Sequence, residues 1–310
     1  MNIKICGTGS ALPEKIITNK DLEKMVDTED SWIVDRTGIS KRHIAADDES
    51  AATLGALASK RALEMAGVTI DDIDLILAAT CSDDDRTPNL ACKIQKLLGE
   101  TSIPAFDINA ACTGFLTALT VADAYFNSGV YKRILVIGAE TVSRMVDYTD
   151  RGTCILFGDG AGATVLEAVE SDNRMVFNLY ANGAKGDALS CLSGGTLLMD
   201  GKEVYKFATR SVPQAINATL EKAGLSAEDI DLFILHQANK RIIESISKTL
   251  KIDINKFPMN ISEVGNMSSA SIPVLLDEIN RKNLIKKDDI IVLSGFGGGL
   301  TYGACILTWE

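Results

Sequence analysis

Few residues in this 310-residue chain combine a reactive type with a setting that could use it. Cys112 ends the run Ala105-Phe-Asp-Ile-Asn-Ala-Ala-Cys112 and precedes Thr-Gly-Phe-Leu, which reads as a strand running into an apolar helix. A thiol at such a junction faces unpaired N–H groups and the positive end of a helix dipole, and both favour the nucleophilic thiolate. Cys6, Cys81, Cys92, Cys154, Cys191 and Cys305 lack that setting and read as small buried hydrophobes. Of two histidines, His43 lies in the polar stretch Ser40-Lys-Arg-His-Ile, with no helix or strand end to fix it. His236 instead ends the apolar strand Leu232-Phe-Ile-Leu-His, where desolvation favours neutral imidazole. Taken alone, each of these residues is as well explained by ordinary packing.

Two further segments qualify. Asn266, in Val264-Gly-Asn-Met-Ser-Ser-Ala-Ser-Ile-Pro, marks a second loop-to-helix junction, although a Gly-Asn pair by itself mostly means a turn. Ser294-Gly-Phe-Gly-Gly-Gly299 follows a strand and lets the backbone approach a ligand with its N–H groups free. Lacking the Gly-Lys-Ser/Thr ending of a phosphate loop, it reads better as an oxyanion hole.

The elements that must position these residues come in two copies. Leu63-Glu-Met-Ala-Gly-Val-Thr-Ile-Asp-Asp-Ile-Asp-Leu-Ile-Leu77 is echoed 157 residues later by Leu220-Glu-Lys-Ala-Gly-Leu-Ser-Ala-Glu-Asp-Ile-Asp-Leu-Phe-Ile234, with eight of fifteen positions identical. The same offset lays Leu135-Val-Ile-Gly138 on Val292-Leu-Ser-Gly295. Each copy reads as an apolar-periodic helix (57–66 and 212–223), a glycine stop, an acidic turn and a buried strand (73–79 and 230–235). Further helices are expected at 114–126 and 271–279. Continuously apolar strands suit an α/β fold with sheets covered on both faces. The expected division is 1–170 and 171–310, tightly packed, since no Pro, Gly or Ser-rich linker separates the halves. Shortening the offset to 154 lays Asn266 over Cys112, as if one junction faced its copy.

Composition narrows the function classes. Hydrophobic residues make up 46% and charged residues 24%, as in a well-buried globular protein. The apolar runs are too short to span a bilayer, the N-terminus lacks a signal-peptide core, and a cytoplasmic protein is expected. Seven cysteines without a Cys-x-x-Cys pair argue against a disulfide framework or a zinc ribbon. A net charge of −11 disfavours nucleic acid or an anionic membrane as partner. Any acidic partner needs a local basic patch. Between His236 and Lys256, five cations (Lys240, Arg241, Lys248, Lys251, Lys256) face only Glu244 and Asp253, which suits either a patch or a solvated helix face.

Cys112, the His236-Gln-Ala-Asn239 strand end and Gly265-Asn266, in this order on a duplicated α/β frame, resemble the β-ketoacyl-acyl-carrier-protein synthase III family of initiating condensing enzymes of type II fatty-acid synthesis. The likeness runs through Gly7-Thr-Gly-Ser-Ala-Leu-Pro13, Trp32-Ile-Val-Asp-Arg36-Thr-Gly-Ile39, Asp150-Arg151-Gly152, Phe157-Gly-Asp-Gly-Ala-Gly162 and Phe296-Gly-Gly-Gly-Leu-Thr-Tyr-Gly303. It implies a thiolase-like fold of duplicated halves in five layers, α-β-α-β-α. It also implies that Cys112 takes an acyl group from acyl-CoA, while His236 and Asn266 stabilise the enolate formed when malonyl-acyl-carrier protein loses carbon dioxide. The N–H groups of Cys112 and Gly298 would form the oxyanion hole.

The same resemblance assigns Trp32, Arg36, Arg151 and Asn239 to coenzyme A, with the adenine stacked on Trp32. It gives Thr87, Phe157 and Leu189 to the acyl pocket, Thr87 being contributed by the mate of a homodimer. Lys206, Arg241 and Lys248 become the docking site for acidic acyl-carrier protein. Neither metal nor nicotinamide is implied, and acyl-CoA is a substrate. Two departures touch the acyl pocket: threonine at 87, where the family commonly has an aromatic residue, and a short loop at 188–199 carrying Cys191. Acetyl-CoA is the default primer, with longer, branched or polar primers open. The alternatives are a related acyltransferase or ketosynthase of secondary metabolism, a thiolase or hydroxymethylglutaryl-CoA synthase, and a silent partner subunit. Tyr302-Gly-Ala-Cys305 lacks the Cys-x-Gly spacing of thiolases, and a silent subunit would have lost the nucleophile.

Overall fold

The computed structural model describes residues 2–170 and 175–310, so the expected division at 170/171 abuts residues outside the described ones. Strands β1 (Asn2–Ala11), β2 (Leu75–Ala79), β3 (Ala105–Ile108), β4 (Arg133–Glu140) and β5 (Gly160–Val169) form one sheet in the order β1-β5-β4-β2-β3. Strands β6 (Val176–Ala181), β7 (Leu232–Leu235), β8 (Ile290–Gly297) and β9 (Thr301–Thr308) form a second, in the order β6-β9-β8-β7. In both sheets the neighbours that follow the repeated helix pair in parallel (β2–β4 and β7–β8), and the hairpin-like neighbours pair antiparallel.

Helices α1 (Ala51–Ala66) and α2 (Leu90–Leu98) cover the outer face of the first sheet. Helices α3 (Gly114–Ser128), α4 (Gly201–Ala223), α5 (Lys240–Leu250) and α6 (Ser271–Arg281) complete the layers. α3 and α6 lie between the sheets, α4 packs on the outer face of the second, and α5 packs on α4. The result is a five-layer α-β-α-β-α arrangement. In the central layer Phe115, Leu116, Leu119 and Phe126 of α3 and Leu275, Leu276 and Ile279 of α6 belong to one buried apolar cluster. Every residue of β2 is buried, which is why its sequence reads Leu-Ile-Leu-Ala-Ala without alternation.

The duplication persists into side-chain detail. The register Leu75↔Ile134 recurs as Leu232↔Ile291, 157 residues on. Gly67 and Gly224 end α1 and α4 in the left-handed region, at φ +67° and +69°. Thr69 with Asp72, and Ser226 with Asp229, form matching capping boxes at the acidic turns. Asp74 Oδ2 accepts the Arg133 N–H, and Asp231 Oδ2 accepts the Ile290 N–H.

Two helices start earlier than their apolar period indicates. Ser50 caps α1, which opens on the small buried residues Ala51 and Ala52, and Asp200 caps α4, whose buried face already includes Val204, Phe207 and Ala208. The 154-residue offset proposed for the junctions does not hold. Ala111 and Ser268 both take positive φ, +45° and +47°, and each opens a short 3-10 turn, 111–113 and 268–270. Asn109 Oδ1 accepts the Ala111 N–H at 3.3 Å, and Asn266 Oδ1 accepts the Ser268 N–H at 2.9 Å. Asn266 is therefore the copy of Asn109, and Cys112 is the copy of Ser269. The three-residue slip disappears because the side chain that holds each strained turn stands three residues before the junction residue.

Candidate functional site

The turns 111–113 and 268–270 pack against each other beside the ends of β7 and β8, and a cavity of about 590 Å³ opens there. Cys112, His236, Asn266 and Gly298 all border it. Cys112 sits just before the first turn of α3, and its own N–H and that of Gly298 act on the sulfur to favour the thiolate. β8 can pass this close only as glycine. A Cβ on Gly297 would stand 2.7 Å from both Cβ and N of Cys112.

Burial pushes the Cys112 thiol up to about 11, with the charge of Glu140 acting in the same direction; the Ser268 hydroxyl and the two N–H groups pull it down. The helix-terminal setting alone suggested a thiolate. In the folded chain burial prevails over the donors, and the resting group is a thiol.

His236 follows the last residue of β7, where its N–H donates to Ser294 O at 2.8 Å. Its ring meets Phe296 edge-on at 5.6 Å, and Nδ1 is buried without a partner among the described residues. Burial lowers its pKa to about 3, so the imidazole is neutral at physiological pH. Asn266 is fixed through its backbone, donating to Leu156 O at 2.9 Å and accepting from Gly158 at 3.0 Å. With Oδ1 held by the Ser268 N–H, its Nδ2 is left as a donor for a ligand.

Phe157 and Leu189 border the cavity, and the loop at 188–199 is a hairpin of Leu189–Cys191 with Leu197–Met199. Asn239 borders it too, but its side chain is also engaged locally. Its Oδ1 caps α5 through Arg241 N at 2.8 Å, and its Nδ2 donates to Arg36 O at 3.0 Å. Trp32 is half-buried, with the guanidinium of Arg151 4.8 Å from its ring centroid and that of Arg36 at 5.8 Å. Thr87 is exposed and does not border the cavity of its own chain.

Lys206, Arg241 and Lys248 are exposed, Lys206 within an ion pair to Glu203 at 2.8 Å. Lys256 leaves the basic patch, since its Nζ donates to Glu228 O and Ile230 O. His43 is better fixed than its polar setting suggests: it lies on a short strand, Lys41–His43, with Nδ1 2.6 Å from Pro13 O.

Four residues that carried no catalytic role of their own in the sequence border or buttress the site. Cys81 lines the cavity, its sulfur 3.4 Å from Ser268 Oγ, and Glu140 lies behind both. Ser268 and Gly297 touch Cys112. The 157-residue offset carried signal for two of them, since it makes Gly297 the copy of Glu140. Among the described residues no group of His, Cys, Asp or Glu is placed to hold a metal ion, no helix is long and apolar enough to cross a membrane, and all seven cysteines are unpaired.

The profile of 3-oxoacyl-[acyl-carrier-protein] synthase III matches residues 106–183, and that of its C-terminal part matches residues 220–309. The β-ketoacyl-[acyl-carrier-protein] synthase III of Xanthomonas campestris pv. campestris is 45% identical over 99% of this chain and 98% of its own. The crystal structure of 3-oxoacyl-[acyl-carrier-protein] synthase III from Aquifex aeolicus VF5 superposes with a TM-score of 0.97 at 43% identity, covering 99% of this chain and 100% of that one. The priming β-ketosynthase of the R1128 polyketide pathway superposes at 0.92 with 34% identity, covering 100% of this chain and 96% of that one.

Proposed function

The chain belongs to the 3-oxoacyl-[acyl-carrier-protein] synthase III family of condensing acyltransferases, and from that premise we propose how its own residues run the reaction. The observation that carries the proposal is the meeting of Cys112, His236, Asn266 and Gly298 in one cavity. An acyl-CoA primer enters with its carbonyl oxygen toward the N–H groups of Cys112 and Gly298. The Cys112 sulfur attacks, its proton is lost as the C–S bond forms, and coenzyme A leaves as the thiol. One difficult step thus becomes two easier ones. Because the resting thiol is neutral and so is His236, no ion pair has to be broken before attack.

Malonyl-acyl-carrier protein then places its thioester oxygen between the His236 N–H and Asn266 Nδ2. A neutral imidazole is the right donor here, because a cation would hold the enolate too tightly for it to attack. Carbon dioxide departs, the enolate carbon attacks the acyl-Cys112 carbonyl, and the collapsing tetrahedral oxyanion expels the Cys112 thiolate. The product is 3-oxoacyl-acyl-carrier protein. Loss of one oxyanion donor costs about 3 kcal/mol in comparable sites. Every step is assigned to this chain's side chains and N–H groups, and coenzyme A enters only as the carrier of the primer.

Trp32, Arg36, Arg151 and Asn239 hold the coenzyme in this reading. Adenine stacks on Trp32 with Arg151, whose guanidinium lies 4.8 Å from the ring centroid, moving to its other face. Phe157 and Leu189 bound the acyl group, Thr87 reaches the pocket from the mate of a homodimer, and Lys206, Arg241 and Lys248 receive the carrier protein. Seven unpaired thiols, one of them the nucleophile, fit a reducing cytoplasm.

Incubation with a panel of acyl-CoAs, read by the mass added to Cys112, tests the reading. An acetyl adduct fits initiation of fatty-acid synthesis. Acylation only by longer or functionalised primers fits a secondary-metabolite ketosynthase, the reading favoured by the likeness to the R1128 enzyme. Equal acylation of the Cys112→Ala protein overturns both.

A further inference from the structure

Glu140, the last residue of β4, is fully buried and makes no ion pair among the described residues. Its two oxygens instead draw donors from two segments, with Cys81 Sγ also 3.6 Å from Oε1. Oε2 accepts from Thr80 Oγ1 and Cys81 N, both at 3.1 Å, and from Ser82 Oγ, all in the segment that follows β2. Oε1 accepts from Ser269 Oγ at 2.7 Å and Ser269 N at 3.3 Å, in the turn that follows Asn266. A buried carboxylate so saturated with donors holds its neighbours rigidly and has no lone pair to spare for a ligand.

The duplicated frame says what this arrangement replaced. The copies of Cys112 and Gly297 are Ser269 and Glu140. The space that Gly297 leaves beside the thiol in one half is filled by the Glu140 side chain beside the hydroxyl in the other.

We propose that Glu140 is a positioning residue for the condensation step, clamping the Asn266–Ser269 turn to the end of β2 so that Asn266 meets the malonyl thioester in line with acyl-Cys112. This rests on the functional reading above. Cys112 itself sits in its own turn ahead of α3 and against Gly297 of β8, and among the described residues none of the Glu140 hydrogen bonds reaches that turn. Loosening the clamp therefore separates the two half-reactions. A shift of about 1 Å at a reacting group costs about a hundredfold, so even partial loosening is measurable.

The test compares Glu140→Gln and Ser269→Ala with wild type in two assays: acyl transfer from acyl-CoA to Cys112, and carbon dioxide release from malonyl-acyl-carrier protein. Both variants are expected to acylate within about threefold of wild type and to lose decarboxylation about tenfold or more. The titratable groups facing Cys112 are Cys81 from the end of β2, His236 from the end of β7, and Glu140, whose charge pushes the thiol up. Glu140→Gln should therefore also move the pH profile of Cys112 alkylation toward acid, while Ser269→Ala leaves it in place. A purely structural role predicts parallel loss in both half-reactions, and that result overturns the inference. If Glu140→Gln does not fold, Ser269→Ala carries the test through the split between the half-reactions, since it removes one hydroxyl and keeps the other donors to the carboxylate. Wild-type protein inactive in both assays overturns the functional reading and this one with it. An active wild type with unsplit variants overturns only this one.

Discussion

The turns 111–113 and 268–270 have one backbone and two fates. Both open on a non-glycine residue in the left-handed region, both are held by an asparagine two residues earlier, and both lead into a central helix. In the first the junction residue is Cys112, bordering a cavity beside Gly297; in the second it is Ser269, sealed by Glu140. Duplication supplied the strained turn and the helix terminus twice. What makes one of them a site is the absence of a side chain at 297, together with the imidazole of His236 where the first half has only the methyl of Ala79. The asparagines diverge in the same way: Asn266 is buried against the cavity and Asn109 is exposed.

The largest effect expected is at the two junction residues themselves. Cys112→Ala should abolish acylation by acyl-CoA, whereas Ser269→Cys should gain none, because Glu140 occupies the space an acyl group would need; mass spectrometry of the intact protein reads both. Next come the glycines behind them. Gly297→Ala sets a Cβ 2.7 Å from Cys112 Cβ and N and should slow turnover about a hundredfold, with a stability cost of about 1–3 kcal/mol. Behind Ser269, a Cβ on Gly138, the copy of Gly295, would stand 2.5 Å from Ser269 O, and Gly138→Ala should cost about 1–3 kcal/mol of stability, measured by denaturant unfolding, with turnover reduced less than in Gly297→Ala.

A third contrast is electrostatic, since only the second half carries an imidazole at its strand end. The folded-state pKa of His236, about 3, lies below the unfolded value near 6.5, so below that value the unfolded chain binds the extra proton. Stability should thus be fully present above about pH 6.5 and fall by roughly 1.4 kcal/mol per unit as pH drops from there toward 3. His236→Ala should flatten that slope, and an unchanged slope would reassign it to the carboxylates. The smallest effect concerns the strained residues. Ala111→Gly and Ser268→Gly should each stabilise by up to about 1 kcal/mol by relieving a positive φ. Only the second should move Cys112 alkylation toward alkaline pH, because only Ser268 supplies a hydroxyl to the sulfur.

Much of this was legible in the residues. The echo of 63–77 in 220–234 announced the repeat, and the strand register keeps its 157-residue spacing. Cys112, His236 and Asn266 were marked by lying at strand ends and helix starts, places where backbone groups are free. Pairing Asn266 with Cys112 was a misreading: the 157-residue offset lays Asn266 on Asn109, and the bond from each asparagine side chain to the backbone two residues on shows why that alignment holds. Glu140 escaped notice because a glutamate after Leu-Val-Ile-Gly-Ala reads as a strand leaving the core, whereas here it is buried by donors drawn from 80–82 and 269. The height of the Cys112 pKa was hidden for a similar reason: burial depends on β8 and the opposite turn, both more than 150 residues away in sequence.

The central claim is that one thiol, Cys112, carries the acyl group into a decarboxylative condensation. Loading the protein with radiolabelled acetyl-CoA, removing free coenzyme and adding malonyl-acyl-carrier protein tests it directly. The account predicts one label per chain, mapped to Cys112, transferred wholly to the carrier protein with one carbon dioxide released per label. Label on another cysteine, or carbon dioxide released while the label stays on the protein, would contradict it.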